Sequence, residues 1–291
     1  MKTLLRRVRV SQPLNFVTTS ATRAVLSALR LESDFVVKHL HRAGTVRCKL
    51  PNGRSLVLWS RGDDWVSNRL YWLGLAGYEP ETVPVFLRHA ATARVVLDIG
   101  AYVGFYTLLA AHANPQAAVY AFEPHPDAHP RLVRNVSLNR LTNVECFSVA
   151  AGDVAGAATL WGVTSELPTS SSLSRDFMNV NGAVRGIHVE VVRLDEFLGD
   201  RGVQGVDLIK IDTESTEPEV LRGMAETLRR DRPAIVCEVL AGRETAAALE
   251  DLLGPLGYRF WLLTPDGPRR EARVCGHPEW LNYLFTYRDV A

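Results

Sequence analysis

The stretch V-V-L-D-I-G-A-Y-V-G-F-Y, residues 95 to 106, decides the fold of this chain. Its first five residues predict a buried β-strand, and an apolar helix from Phe105 to Ala113 follows directly. The turn between them contains three small residues, Gly100, Ala101 and Gly104. Because glycine adopts positive φ values and has no side chain, such a turn lets the backbone approach a ligand at the carboxyl end of the strand. The stretch predicts a binding site at this turn. The alternative is a structural role, because many doubly wound proteins have a glycine-rich turn for packing reasons alone.

From Val95 onward, apolar strands alternate with helical segments, which is typical of a parallel sheet with helices on both faces. The predicted fold class is a Rossmann-like, doubly wound α/β fold with a seven-stranded, mostly parallel sheet. The strands are expected at Val95–Ile99, Ala118–Phe122, Val144–Val149, Leu208–Asp212, Ala234–Val239, Tyr258–Leu263 and Leu284–Tyr287. Residues 153 to 206 interrupt the pattern with two strand-like runs, Ala157–Trp161 and His188–Leu194. We expect this insertion to lie over the site.

The residues before the sheet follow a different pattern. Apolar spacing predicts helices over Ser20–Leu31 and Phe35–Arg42. The pair Asn52-Gly53 between two alternating runs predicts a β-hairpin. The aromatic stretch Trp65–Leu87, interrupted by glycine and proline, predicts short helices that cap a pocket. The basic residues Arg6, Arg7 and Arg9 are not followed by the apolar run of a signal peptide. They indicate an N-terminal segment that is flexible or contacts a membrane.

The composition is that of an ordinary globular protein. The 291 residues include 33 Lys and Arg and 32 Asp and Glu, which give a net charge of +1. This balance argues against a nucleic-acid binder, and no apolar run suits a transmembrane segment. The four cysteines lie far apart without a CxxC pair, which favours a reducing, cytoplasmic location. We divide the chain into an N-terminal extension, residues 1 to 90, and a sheet domain, residues 91 to 291.

The second predicted strand ends in Glu123, which follows Gly100 by 23 residues. A carboxylate at this position can accept hydrogen bonds from the ribose hydroxyls of a nucleoside cofactor. A dinucleotide also needs G-x-G-x-x-G for its pyrophosphate, whereas here Asp98 precedes the glycines and Tyr102 takes the middle position. Because a carboxylate repels pyrophosphate and attracts a cation, these residues favour S-adenosylmethionine, which has a sulfonium, an ammonium group and no phosphate.

Apolar and small residues at the ends of the second and third strands suit the adenine ring of such a cofactor. Together with the turn and Glu123 they complete the predicted binding set. The candidate cofactor-binding residues are Asp98, Gly100, Ala101, Tyr102, Gly104, Glu123, Pro124, Val149 and Ala150.

Three blocks of sequence carry a resemblance to a known family. They are V-V-L-D-I-G-A-Y-V-G-F-Y-T-L at 95 to 108, V-Y-A-F-E-P-H-P with L-x-x-N-x-x-L-N at 119 to 139, and D-L-I-K-I-D-T-E-S-T-E-P-E-V-L-R-G-M at 207 to 224. With Y-W-L-G, Y-E-P-E and Ser171-Ser172-Leu173, the ordered set resembles FkbM-type S-adenosylmethionine-dependent methyltransferases over about two thirds of the chain. The resemblance implies a class I methyltransferase fold and O-methylation of a sugar, glycolipid or polyketide-type natural product.

Two residues depart from the pattern of that family. Tyr102 stands where the family usually has Asn, and Ser215 replaces the glycine of its D-V-E-G segment. Both positions lie beside the expected site. Tyr102 is expected to change the contact to the methionine end of the cofactor, and Ser215 to reshape the turn. Altered or lost activity therefore stays open.

Methyl transfer to a hydroxyl requires a group that takes up the hydroxyl proton. Asp212 ends the fourth strand, Glu214 follows it, and Glu238 ends the fifth strand. If these strands are neighbours, the three carboxylates converge and either share a proton or hold Mg²⁺. His188 in the insertion is a further candidate base. Glu214 also fits the acidic first turn of a helix, and Lys210 fits a structural ion pair with a nearby carboxylate.

Three functions stay open at this point. The first is an S-adenosylmethionine-dependent O-methyltransferase. The second is an NAD-dependent oxidoreductase, which Asp98 and Tyr102 disfavour. The third is a cofactor-binding module without turnover. The expected partner is a small-molecule or glycan hydroxyl acceptor and not a nucleic acid, and assembly as a homo-oligomer stays open.

Overall fold

The N-terminal extension consists of helices around one hairpin. A computed structural model describes residues 11–163, 171–174, 184–242 and 244–289. The basic residues 6 to 9 and most of the polar part of the insertion therefore lie outside the described residues. The elements before the sheet are helices α1 (Gln12–Leu29) and α2 (Asp34–His39), strands β1 (Ala43–Lys49) and β2 (Ser55–Arg61), helix α3 (Trp65–Leu73), a 3₁₀ turn (Leu75–Gly77) and helix α4 (Thr82–Ala90).

From Val95 the chain alternates strands with helices. The first three units are β3 (Val95–Ile99), α5 (Phe105–Ala113), β4 (Ala118–Phe122), α6 (His129–Leu138) and β5 (Val144–Phe147). The insertion contributes β6 (Ala150–Ala151), β7 (Gly156–Val163), β8 (Ser171–Ser172) and β9 (Val184–Val192). The remaining elements are α7 (Leu194–Asp200), β10 (Leu208–Ile211), α8 (Glu217–Arg222), α9 (Ala225–Asp231), β11 (Ala234–Glu238), α10 (Thr245–Leu253), β12 (Arg259–Thr264), β13 (Gly267–Glu271) and β14 (Asn282–Thr286).

The central sheet has eight strands in the order β13-β12-β14-β11-β10-β3-β4-β5. The five strands from β11 to β5 are parallel, and β14 runs antiparallel to both of its neighbours. The chain moves outward from β3 through β4 to β5 and then returns to β10 on the other side of β3. This reversal is the topological switch point where open α/β sheets bind their ligands. The doubly wound, Rossmann-like fold is as predicted.

The parallel strands are apolar on both faces because helices cover both faces. In β3, Val96 packs into one core layer while Leu97 and Ile99 pack into the other. The neighbouring strand in the sheet, β10, alternates in the same way. Leu208 packs into the core layer of Val96, and Ile209 packs into the layer of Leu97 and Ile99. Each such buried side chain contributes roughly 1.5–3 kcal/mol relative to an exposed one. The ends of β3 and β10 are therefore held firmly, and the loops that follow them are fixed in place.

The hairpin of the extension docks onto the sheet domain through the two asparagines of L-x-x-N-x-x-L-N. Oδ1 of Asn135 accepts from the backbone N–H of Trp59 at 2.8 Å, and Oδ1 of Asn139 accepts from that of Val57 at 2.9 Å. Hairpin residues such as Leu58 share the core layer of Val96. The motif thus holds the extension beside the sheet. The boundary near residue 90 stays a prediction.

Several predicted elements need correction. The sheet has one strand more than predicted, because β13 pairs with the outer side of β12. The helix predicted over Ser20–Leu31 begins earlier, at Gln12, and ends at Leu29. The strand predicted over His188–Leu194 is β9, which begins earlier, at Val184, and ends at Val192, because Leu194 already begins α7. The described part of the insertion forms a four-stranded sheet in the order β6-β9-β7-β8. Among the described residues, no helix is both long and apolar enough to cross a membrane.

Candidate active site

A cleft of about 420 Å³ opens at the carboxyl ends of β3, β4, β10 and β11. The residues Trp65, Tyr78 and Glu79 of the extension form one side, and Leu160, Ser171 and Leu173 of the insertion form another. Residues of the aromatic segment and of the insertion therefore both line the cleft. A volume of this size suits a small-molecule site.

The glycine turn at the end of β3 is shaped mainly by its neighbours in the protein. Gly100 has a φ of +81°, and a Cβ there would lie 1.9 Å from the carbonyl oxygen of Asp212. Gly104 has a φ of +89°, and its Cβ would meet Leu132 of α6 at 2.6 Å. Gly100 lines the cleft, whereas Ala101 and Gly104 are not among its lining residues. Packing therefore requires both glycines, and only Gly100 also faces the ligand space.

Glu123 is a buried carboxylate at the cleft wall. Its Oε2 accepts from the backbone N–H of Tyr102 at 2.6 Å, and its Oε1 accepts from that of His125 at 2.7 Å. Burial raises its pKa to about 7, an effect that the two N–H donors partly offset. The carboxylate is thus fixed in one orientation, and its charge changes near neutral pH.

Asp98 lies beneath the turn and is not among the cleft-lining residues. Its Oδ2 accepts from the hydroxyl of Thr107 on α5. Burial raises the pKa of Asp98 to about 6, while the Thr107 hydroxyl and the charge of Lys210 act in the opposite direction. The structure therefore links Asp98 to α5 through Thr107, and its side chain does not line the cleft.

Tyr102 occupies a left-handed backbone conformation, with a φ of +50°. Asn adopts the left-handed backbone region more readily than a bulky side chain does. Tyr102 therefore strains the backbone at a position where the family resemblance predicts Asn. Its ring lines the cleft, and its buried hydroxyl has no hydrogen-bond partner. Burial raises the pKa of that hydroxyl far above its usual value, so it stays protonated. The hydroxyl is therefore a buried donor, and the charged groups that act on it most strongly are Asp64, Arg131 and Asp63.

The three predicted carboxylates converge. Strands β10 and β11 are paired, and the carboxylate oxygens of Asp212, Glu214 and Glu238 lie within 4.8 Å of one another. Lys210 is fully buried, and its Nζ lies 3.1 Å from Oδ2 of Asp212, so the predicted ion pair is confirmed. Oε2 of Glu238 has no hydrogen-bond partner. Burial, together with Asp212 and Glu214, raises the pKa of Glu238 well above its usual range, so this carboxyl holds a proton at neutral pH.

The loop after β10 is held by Glu217. One oxygen of this buried side chain, Oε1, accepts from the backbone N–H groups of Thr213 and Ser215, each at 3.1 Å. Glu214 and Ser215 have φ values of 56° and 85°, which glycine adopts without cost. Glu217 therefore has a structural role, and Ser215 leaves the loop strained where the family usually has glycine.

His188 does not join these carboxylates. It lies on β9 and lines a separate groove with Phe147 and Arg201. By contrast, Pro124, Val149 and Ala150 all line the cleft, where the adenine ring was expected.

Glu79 is the main residue that the sequence did not single out. It lines the cleft from the extension with a φ of +43°, and its Oε2 accepts from the hydroxyl of Tyr106 and from Nδ2 of Asn282. Burial raises the pKa of Glu79, and the charge of Lys210 opposes this shift. Its position within Y-E-P-E was the available signal, but nothing local connects it with β10.

Five carboxylates in total line the cleft, and no Lys or Arg is among its described lining residues. They are Glu79, Glu123, Asp212, Glu214 and Glu238. Burial raises the pKa values of Glu79, Glu123 and Glu238, and Lys210 pairs with Asp212, so the negative charge of the cleft is smaller than five. Because no Lys or Arg is among the described lining residues, the cleft still favours a cationic ligand over a phosphate.

The glycine turn, Glu123 and the β10 loop all lie within a match to a family model. The model describes the methyltransferase FkbM domain, and it matches residues 98–260. This chain belongs to the FkbM methyltransferase family. The family predicted from three sequence blocks is therefore confirmed, and the chemistry of the family is methyl transfer.

Curated relatives agree with the family assignment. The 31-O-demethyl-FK506 methyltransferase FkbM of Streptomyces tacrolimicus is 28% identical over 247 residues, which cover 75% of this chain and 87% of the relative. The 2-O-methyltransferase NoeI of Sinorhizobium fredii is 28% identical over 151 residues, covering 47% of this chain and 60% of the relative. Among solved structures, methyltransferase FkbM from Methylobacillus flagellatus is similar with a TM-score of 0.44 at 17% identity, covering 77% of this chain and 55% of that chain.

Proposed function

We propose that this FkbM-family methyltransferase uses S-adenosylmethionine to methylate a hydroxyl group of a sugar, glycolipid or polyketide-type natural product. The observation that carries the proposal is the charge of the cleft. Five acidic side chains, of which Glu238 holds its proton at neutral pH, and no Lys or Arg among the described lining residues suit a cofactor with a sulfonium and an ammonium group. A nicotinamide dinucleotide would bring a pyrophosphate into the same space, so an NAD-dependent oxidoreductase is the weaker alternative.

The residues of the cleft fit S-adenosylmethionine. Glu123 offers lone pairs beyond the two that its backbone donors use, and these would hold the ribose hydroxyls. Pro124, Val149 and Ala150 form the apolar part of the wall where adenine would bind. Gly100 lines the cleft and lets the β3 turn pass close to the carbonyl of Asp212. When bound, the cofactor supplies an electrophilic methyl group on a positively charged sulfur.

Asp212 is the best candidate for the base that accepts the proton of the acceptor hydroxyl. It follows β10 directly and lines the cleft on the far side of β3 from Glu123. Its Oδ2 accepts from the ammonium of Lys210, which fixes the carboxylate and leaves Oδ1 for the acceptor. Glu238 is protonated and can donate a hydrogen bond to an acceptor oxygen or share its proton with Asp212. General-base catalysis of this kind contributes about 10²- to 10⁴-fold.

A divalent cation is the alternative role for the same carboxylates. Asp212, Glu214 and Glu238 would hold the cation, since carboxylate oxygens are the ligands that Mg²⁺ prefers and one oxygen of each lies within 4.8 Å of the others. Binding of the cation would displace the proton from Glu238. We favour the base because Lys210 already neutralises Asp212 in part.

The acceptor class rests on the relatives. One acts at O-31 of an FK506 precursor and another is a 2-O-methyltransferase, so both transfer methyl groups to oxygen according to their names. The aromatic rings of Trp65 and Tyr78 at the cleft wall suit the apolar faces of a sugar or a polyketide. We also place the enzyme in the cytoplasm, which suits four free cysteines.

Release of S-adenosylhomocysteine over a panel of free saccharides, glycolipids and polyketide macrocycles tests the proposal. We expect release with one acceptor class and transfer to an oxygen atom, identified by mass spectrometry and NMR. Transfer to nitrogen or carbon would contradict the O-methyltransferase assignment. S-adenosylmethionine binding without release for any acceptor class would favour the binding module that lacks turnover.

A further inference from the structure

The outer face of helix α1 is apolar and uncovered. Of the eleven large apolar side chains that are exposed among the described residues, seven lie between Leu14 and Phe35. Four of them form one stripe along the helix: Leu14, Val17, Val25 and Leu29, with exposed fractions of 47%, 63%, 56% and 60%. The exposed residues Ala21, Ala24 and Ala28 fill the gaps in the stripe. An 18-residue helix is about 27 Å long, so this surface is extensive.

The inner face of the same helix is polar, which is the reverse of an ordinary surface helix. Asn15 and Thr19 are fully buried against the start of β1. Asn15 accepts from the backbone N–H of Ala43 at 2.7 Å, and Nη1 of Arg42 donates to the hydroxyl of Thr19 at 2.7 Å. The helix is therefore fixed in its orientation by hydrogen bonds, and its apolar stripe cannot turn inward without breaking them.

The N-terminal segment up to Leu31 carries a net positive charge, and the first acidic residue of the chain is Glu32. Residues 1 to 31 contain six basic residues and no acidic residue. Because the whole chain has a net charge of +1, the remaining residues carry a net charge of −5. Two basic residues, Arg23 and Arg30, lie in the described part of this segment. Arg23 lies on the side of the helix away from the stripe, where its guanidinium stacks on the ring of Tyr71. A helix with an apolar stripe in a segment of net positive charge matches a surface that is both apolar and negatively charged.

We propose that helix α1 binds the surface of an anionic lipid bilayer, lying in the plane of the interface with its Leu14–Leu29 stripe among the acyl chains. Helices of this length and character adsorb to the interface and do not span it. The arginines then contact lipid phosphates, each worth about a fivefold gain in partitioning. A second copy of the chain is a poorer occupant, because two segments that each have six basic residues and no acidic residue repel each other.

Vesicle co-sedimentation of the full chain tests the proposal. The probes are vesicles of phosphatidylcholine alone and vesicles in which one third of the lipid is phosphatidylglycerol. We expect binding only to the anionic vesicles, and weaker binding at about 0.5 M NaCl because salt screens the arginines. The stripe variant Val17→Gln with Val25→Gln keeps the helix, since Gln favours helices more than Val does, and should lower partitioning by about tenfold or more.

Two further variants separate the contributions. Replacement of Arg6, Arg7 and Arg9 by Gln should lower partitioning by about 100-fold. Val154→Gln changes an apolar side chain that is 73% exposed elsewhere on the molecule and should leave binding unchanged. Equal binding of wild type and stripe variant, or no binding of wild type to anionic vesicles, would overturn the proposal. A dimer in sedimentation equilibrium that the stripe variant abolishes would assign the face to a second copy instead.

Discussion

Glu123 combines a fixed orientation with a pKa of about 7, so its charge changes near neutral pH. The ribose hydroxyls of S-adenosylmethionine donate to the ionised form. We therefore expect the affinity of the wild type, relative to Glu123→Gln, to rise by about tenfold between pH 6 and pH 8, because the ionised fraction rises by that factor. Calorimetric titration of both proteins at the two pH values gives the ratio of their affinities at each pH. Protonation of the ligand affects both proteins equally and therefore does not change this ratio. A ratio that does not change with pH would remove Glu123 from the ribose site.

Asp212 should matter more for turnover than for cofactor binding. With an acceptor from the panel, Asp212→Asn should lower kcat by about 10²- to 10⁴-fold while the affinity for S-adenosylmethionine stays within a few fold. The matched control is Asp266→Asn, which changes an exposed carboxylate in the β12–β13 turn.

The metal alternative gives a different pattern in the same assay. If the carboxylates hold Mg²⁺, chelator abolishes wild-type activity, added Mg²⁺ restores it, and Glu238→Gln behaves like Asp212→Asn. Full activity of Asp212→Asn would contradict both roles.

At the scale of single elements, the loop after β10 carries strain that can be measured. Ser215 has a φ of 85°, and its buried hydroxyl has no hydrogen-bond partner. A left-handed conformation costs an L-residue about 1–2 kcal/mol, so Ser215→Gly should raise the free energy of unfolding by about 1 kcal/mol. Urea unfolding measures the change. Ser137→Gly, in the last turn of α6, should instead lower it by up to about 0.5 kcal/mol. A destabilised Ser215→Gly variant would show that the loop is not strained.

The strands of the sheet were predictable because each is a short apolar run that ends in a polar residue or a turn. β13 was not, since Gly267–Glu271 reads G-P-R-R-E and contains no apolar alternation. It forms at the edge of the sheet, where only one neighbour contributes hydrogen bonds. The start of α1 was missed for a related reason. Its first turns bury Asn15 and Thr19, so the polar residues, and not the apolar ones, mark the inner face there.

The residues of the site were predictable where they follow a strand of the sheet. Asp212, Glu214 and Glu238 could be predicted to converge, because neighbouring parallel strands end at one edge of a sheet. Glu79 could not, because it reaches the cleft from the extension, 133 residues before Asp212. Asp98 was assigned to the cofactor from its position in the turn, whereas the side chain points beneath the turn to Thr107. Position along a strand predicts the edge at which a residue lies but not which way its side chain points there.

At the scale of the whole molecule, buried carboxyls set the pH dependence of stability. The pKa values of Asp98 and Glu123 are raised to about 6 and about 7, so the native chain binds protons more tightly than the unfolded chain. Their contribution is fully present below about pH 4 and is lost as the pH rises through 6 and 7, by about 3 kcal/mol for each group. Urea unfolding of the ligand-free protein at pH 5 and pH 8 should therefore show a larger loss for wild type than for Asp98→Asn. An equal loss in both proteins would contradict the burial of this charge.

The charge of the cleft is the central claim, and calorimetric titration of one protein with S-adenosylmethionine and with NAD tests it most directly. The account predicts that S-adenosylmethionine binds and NAD does not. It also predicts that Glu123→Ala weakens S-adenosylmethionine binding by about 10- to 150-fold, the scale of one charged hydrogen bond, while Glu145→Ala on the exposed side of β5 leaves it unchanged. Tight binding of NAD together with no heat from S-adenosylmethionine would contradict the account.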